Sequence, residues 1–151
     1  MAIARGAGTE IIRSAHFELI DGAANHVLIF GVQHHIYTVL SVIIACNSLQ
    51  ATTNYLDLNV LGYDSTAGTT QEYVKIFRQT IAAGQTFIFN DKFSFNGHEP
   101  VDFTGPLDSI AKQDAIADQG SAVPQKLCMQ STHADDDFEV HVTYIDQNNA
   151  S

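Results

Sequence analysis

Histidines and carboxylates are the side chains here with the most capacity for chemistry, and their spacing limits it. The chain of 151 residues holds seven histidines and 17 acids. His34 and His35 are adjacent, and neighbours on a strand point to opposite faces, so the pair cannot chelate one ion together. His16, His26, His98, His133 and His141 fall in separate segments without the short spacing of a metal site. Asp135, Asp136 and Asp137 offer oxygen ligands, but three consecutive acids lack the spaced loop and central glycine that Ca²⁺ sites use. A solvated acidic turn is the simpler reading of those three. Serine, histidine and aspartate all occur, yet no "GxSxG" elbow positions a nucleophile. "ARGAG" and "AAGQ" lack the phosphate-loop pattern and the helix that should follow it. His98, Glu99 and Asp102 form the densest polar group, and read as a solvated loop. The expectation is therefore a chain with no catalytic residue, no cofactor site and no metal ligand.

Cys46 and Cys128 are far apart and match no ligand spacing, which reads as two reduced, buried thiols. The balance of 7 cations against 17 acids gives a formal charge of −10. Such a chain is a poor partner for nucleic-acid phosphates or anionic lipid. No basic region followed by an apolar stretch of secretory length opens the sequence, so no signal peptide is read. The charged fraction of 16% is below the usual ~25%. A surface so poor in charge fits a chain whose area is partly covered by partners.

The positioning elements read as strands. Extended runs separated by turn residues cover 9–20, 26–31, 34–47, 54–64, 72–81, "QTFIFN", "KFSFNG", 125–132 and 137–146. The last two are joined by "HADD", an acidic loop of hairpin length. About eight strands in one domain predict an all-β, antiparallel, jelly-roll-like β-sandwich. The domain is expected over 9–151, after an N-terminal arm over 1–8. One excursion, 97–123, interrupts the strands with two of the three prolines and the best helix, "LDSIAKQDAIAD" at 107–118, which Asp108 or Ser109 would cap. An excursion of that length between strands points to a functional or interfacial role.

"YTVLSVIIACN" at 37–47 is half the length of a membrane span. It reads as a strand with Tyr37, Val39, Ser41, Ile43 and Ala45 on one face and Thr38, Leu40, Val42, Ile44 and Cys46 on the other. Both faces are mostly apolar, which predicts burial on both. The N-terminal arm, the 97–123 excursion or a neighbouring subunit would supply the second cover. The expected interface is Leu40, Val42 and Ile44 on the strand, with Phe103, Leu107 and Ile110 in the excursion. Ile43→Ala would cost ~2–5 kcal/mol if that site is core.

The order of segments also resembles a known family. "YTVLSVIIACNS", "LDLNVLGYD", "VKIFRQTIAAGQTFIFNDKFSFNG" and "DDFEVHVTYID" together look like a small β-sandwich domain recurrent in tailed-bacteriophage virion proteins. The likeness covers 36–96 and 125–146, and "IARGAGTEIIRSAHFE" resembles the start of cyanophage structural proteins. The sequence departs from shorter family members by the 97–123 excursion. The resemblance implies a non-enzymatic virion protein that decorates or cements the capsid, or forms part of the neck or tail. It implies trimers, and contact with the major capsid protein or other virion proteins. The alternative is a carbohydrate- or receptor-binding module of a fibre. Tyr55, Tyr63 and Tyr73 exposed together at a loop end would favour sugar, whereas a large apolar patch would favour assembly.

Overall fold

A computed structural model describes residues 8–20, 25–64, 69–100, 106–118 and 122–149. Its strands are β1 (Thr9–Ile20), β2 (His26–Phe30), β3 (His35–Ser48), β4 (Leu56–Asp64), β5 (Thr69–Gln79), β6 (Thr86–Phe89), β7 (Phe93–Asn96), β8 (His98–Pro100), β9 (Ala122–Pro124), β10 (Lys126–Ser131) and β11 (Asp137–Asn148). One helix, α1, spans Ile110–Asp118.

The fold is an all-β antiparallel sandwich. One sheet has the order β1-β11-β3-β6, with β7 continuing alongside β3 where β6 stops. The other has the order β2-β10-β4-β5. The pairs nest: β1 with β11, β2 with β10, β3 with β6 and β7, and β4 with β5. This is one long hairpin rolled up, the jelly-roll path. The eight expected strands are thus its eight positions, the sixth broken in two at "NDK". The "HADD" link is a correction to the hairpin reading. β10 and β11 lie in different sheets, so 132–136 is a corner between layers.

The inner faces carry the core. Val39, Val42 and Ile44 of β3 meet Val140, Val142 and Phe138 of β11, and pack against Leu56, Leu58, Leu127 and Met129 of the second sheet. The simple alternation expected along 37–47 does not hold. Thr143 pairs with Ser41 and Tyr144 with Val39, leaving Leu40 as an extra, half-buried residue. This bulge shifts the parity. Inward residues run Tyr37, Val39, then Val42, Ile44 and Cys46. Ile43 faces outward and is 38% exposed in the single chain, so the described residues bury one face of this strand fully and leave the other for a cover from outside them.

The excursion leaves and re-enters at one tight crossing. β8 and β9 pair as a small ribbon, with α1 between them in sequence. Ser109 caps the helix, its Oγ accepting from the Lys112 N–H at 3.2 Å. At the neck, Gly97 N–H donates to His35 O, Gln125 N–H to Gly97 O, and Gly31 N–H to Gln125 O, each at 2.8 Å. A Cβ on Gly97 would lie 1.8 Å from Val32 O, so only glycine lets these backbones approach.

Candidate interaction surface

The outward face of the first sheet is built by residues that alternate with the core. His16 stands opposite His141, His141 opposite Ile43, and Ile43 opposite Ile88, so one row crosses four strands. The two imidazole rings are 6.0 Å apart. A second row is hydroxylic: Ser14 opposite Thr143, then Ser41, with 3.4 Å between the Ser14 and Thr143 oxygens. A third runs Ile12, Ile145, Thr38, Ser94, with Thr38 Oγ1 and Ser94 Oγ 3.0 Å apart. Ile12 is 72% exposed and Ile88 60%. Among the described residues the charges on this face are Glu10, Glu18, Asp137 and Glu139, with no lysine or arginine. The result is a face of isoleucines, hydroxyls and carboxylates.

The outward face of the second sheet has the opposite chemistry. Asp57 is buried and receives Arg78 in a fork, Nε to Oδ1 at 2.8 Å and Nη2 to Oδ2 at 2.9 Å. Lys75 Nζ lies 3.5 Å from the same carboxylate. The Arg78 guanidinium covers the half-buried Tyr55 ring, 3.7 Å from its centroid. Lys126 lies over Phe30 at 5.2 Å, a cation–π contact on an exposed ring. Val27 and Tyr73 complete the exposed apolar area.

The polar groups that invited chemistry are mostly structural. Asp136 is not part of a solvated turn: it is 2% exposed, a correction to the simpler reading of "ADDD". Its Oδ1 accepts from Gln50 N at 2.9 Å and Asn54 Nδ2 at 3.0 Å, and its Oδ2 from His133 N at 3.1 Å. Three hydrogen bonds to one buried carboxylate tie the 49–55 connection to the corner between sheets. Near the other end, buried Asp146 accepts from Arg13 Nε at 3.0 Å and His35 Nδ1 at 2.7 Å. His35 and Asp146 have the separation of a base and its orienting acid, but the guanidinium already balances the carboxylate. The neighbouring phenol, Tyr37, accepts from Val32 N at 3.1 Å, and burial pushes its pKa up to about 12. Such a phenol stays protonated and holds structure.

Both cysteines are free and buried, and burial raises both thiol pKa values. That disfavours the nucleophilic thiolate. Burial also lowers the pKa of His98, with the nearby charge of His34 acting in the same direction. Among the described residues, no group of three or more histidines, cysteines or carboxylates is arranged for a metal ion, and no helix is long and apolar enough to cross a membrane.

The expected interface residues separate. Val42 and Ile44 are 0% exposed inside this chain's own core, so neither can meet a second chain. Leu40 is half-buried at the bulge. Leu107 and Ile110 are exposed, Ile110 by 78%, at the start of the helical segment. Phe103 and Asp102 lie outside the described residues, as do residues 1–7 of the expected arm. Sequence reasoning missed Ile12, Ile43 and Ile88. Their signal was the alternation along each strand, and for Ile43 the bulge in β3 moved it by one place.

The tyrosine criterion for sugar binding is not met by the described side chains. Tyr73 is exposed and pairs with Leu61 towards the far end of β4, whereas Tyr55 precedes β4 and lies beneath Arg78, so the two share no loop end. The Tyr63 side chain lies outside the described part.

No protein-family model matches the chain, and a search of curated proteins finds no match. Among solved structures it is similar to a chain described under "Bacillus endospore appendages form a novel family of disulfide-linked pili". That chain is 10% identical, with a TM-score of 0.44 over 99% of this chain and 97% of the other. A likeness at that level does not speak to function.

Proposed function

We propose that this protein is a non-enzymatic structural subunit that acts by burying surface against copies of itself and against other proteins of a particle. The observation that carries this reading is the outward face of the first sheet. Ile12, Ile43 and Ile88 stand exposed on a sheet whose inner side already supplies the core. Ile43 beside Ile88, and Ile12 beside Ile145, are apolar spots that folding does not need, which fits contacts made after folding. The exposed Leu107 and Ile110 of the excursion give a second contact, separate from either sheet. The resemblance in the segment order supplies the setting: a tailed-phage virion, with the major capsid protein or a neck or tail component as partner and three copies per assembly. A fibre-borne sugar module is the weaker reading, because Arg78 occupies the Tyr55 face that a sugar ring would stack on.

The test is location. Antibody or gold labelling of a tagged chain is expected to mark regular positions on purified particles, and deletion of its gene should yield particles of altered stability or shape. Particles that never contain the protein would overturn the virion setting.

A further inference from the structure

The two outward faces differ in a way that specifies how copies meet. The described residues include six cations, and three of them, Lys75, Arg78 and Lys126, stand on the outward face of the second sheet. The outward face of the first sheet has none, and carries Glu10, Glu18 and Glu139. Both faces also expose apolar side chains: Ile12 and Ile88 on one, Val27, Phe30 and Tyr73 on the other. One face is therefore acidic and aliphatic, the other basic and aromatic. They lie on opposite sides of the sandwich.

The geometry points to a head-to-tail contact between two copies of this chain, the first-sheet face of one against the second-sheet face of the next. This rests on the structural-subunit reading above and adds which surfaces meet. Like faces would oppose like charges, so a two-fold contact through either face is disfavoured, whereas unlike faces attract. The smaller, second-sheet face sets the available area: β2, β10, β4 and β5 have 5, 6, 9 and 11 residues and present roughly 500 Å², enough for a small contact. On the first sheet, β1 and β11 have 12 residues each and β3 has 14. At ~3.4 Å per residue and ~4.8 Å between strands, four columns present roughly 700 Å². A standard interface buries about 800 Å² per partner. The apolar residues supply affinity on contact, and the charges set orientation and partner choice. Because the faces are different and opposed, each added copy presents a fresh face. The contact is heterologous: it does not close as a two-fold pair, and it extends as a series unless each step turns by a third of a circle, which closes it as a ring of three.

Charge exchange tests this directly. Glu10→Lys, Glu18→Lys and Glu139→Lys together leave three lysines against Asp137 on the first-sheet face, so both faces are then basic. Lys75→Glu with Lys126→Glu makes both acidic, and leaves Arg78 on Asp57. Mass is followed by sedimentation velocity over a range of concentrations. Wild type should grow with concentration and dissociate in ~1 M salt, where screening acts within ~3 Å. Each variant alone should associate at least tenfold more weakly. A one-to-one mixture of the two should regain assembly, because each basic face then finds an acidic one. Variants that associate as wild type does, or a mixture no heavier than its parts, overturn the proposal. A closed wild-type trimer indifferent to charge overturns this contact and leaves the structural-subunit reading standing; a wild type that stays a single chain overturns both. Circular dichroism checks the fold. If a reversal fails to fold, Glu10→Gln with Glu18→Gln and Lys75→Gln with Lys126→Gln are measured instead, and should each weaken association by a smaller factor; no weakening overturns the proposal.

Discussion

Ile43 and Ile44 are neighbours of nearly identical chemistry, and the fold gives them opposite roles. Ile44 is sealed between the sheets against Phe87 and Val140, while Ile43 looks outward beside His141 and Ile88. Asp135 and Asp136 repeat the contrast in acidic form. Asp135 is largely solvated, and Asp136 is buried with three donors around it. In both pairs the residue type is the same and one step along the backbone decides burial. Composition therefore says how much apolar and charged material exists, and register says which of it serves folding. What register leaves outside is what remains for other chains.

The largest effect that sharpens this contrast is at the isoleucines. Ile44→Ala should cost ~2–5 kcal/mol in denaturant unfolding, since it empties a fully enclosed site. Ile43→Ala should cost under ~1 kcal/mol, because its side chain is already partly in water. Equal losses would show that the outward face is core after all.

The inner face also resists ionisation. The Tyr37 phenol titrates near 12 in the folded chain against 10.0 when unfolded. The folded state holds its proton more tightly, so this contribution is complete below about pH 10 and is lost as pH rises towards 12. The full loss is about 3 kcal/mol on the basis of ~1.4 kcal/mol per pH unit. Burial shifts Tyr144, Cys46 and Cys128 in the same direction, so all four contribute to an alkaline decline. Tyr37→Phe should flatten the stability–pH curve between 10 and 12, although it costs the hydrogen bond from Val32. A slope unchanged in that variant would assign the decline to other groups.

Asp136→Ala should cost roughly 1–3 kcal/mol, because three donors lose their acceptor. Asp135→Ala should stay within ~0.5 kcal/mol. The smallest effect is expected at the excursion. Replacing 98–123 with a short Gly/Ser turn should leave unfolding nearly unchanged, since loop length acts weakly on stability and no described residue of that stretch belongs to the core. Failure to fold would make the ribbon part of the core.

Much of this was legible beforehand. β-branched and aromatic runs marked the strands, "NDK" marked the break between β6 and β7, and two prolines with a long polar stretch marked the excursion. Ser109 was one of two caps the sequence allowed, and the Lys112 N–H selects it. The bulge at Leu40 was hidden because it depends on where β11 pairs, a contact about 100 residues away in sequence. The burial of Asp136 was hidden for the same reason: two of its donors, Gln50 and Asn54, come from a distant connection. The "HADD" link has hairpin length, but length alone does not tell a hairpin from a corner between sheets. The segregation of charge onto two faces required the strand order itself.

The central claim is that the outward isoleucines serve association and not folding, and one comparison of mass tests it most directly. Wild type and an Ile12→Asp, Ile88→Asp double variant are run side by side in analytical ultracentrifugation up to high micromolar concentration, with thermal unfolding recorded for both. The account predicts a wild type heavier than the single-chain 16.5 kDa, and a variant at that mass with an unfolding midpoint within a few degrees of wild type. A wild type that remains at 16.5 kDa throughout, or a variant that associates equally well, would contradict it.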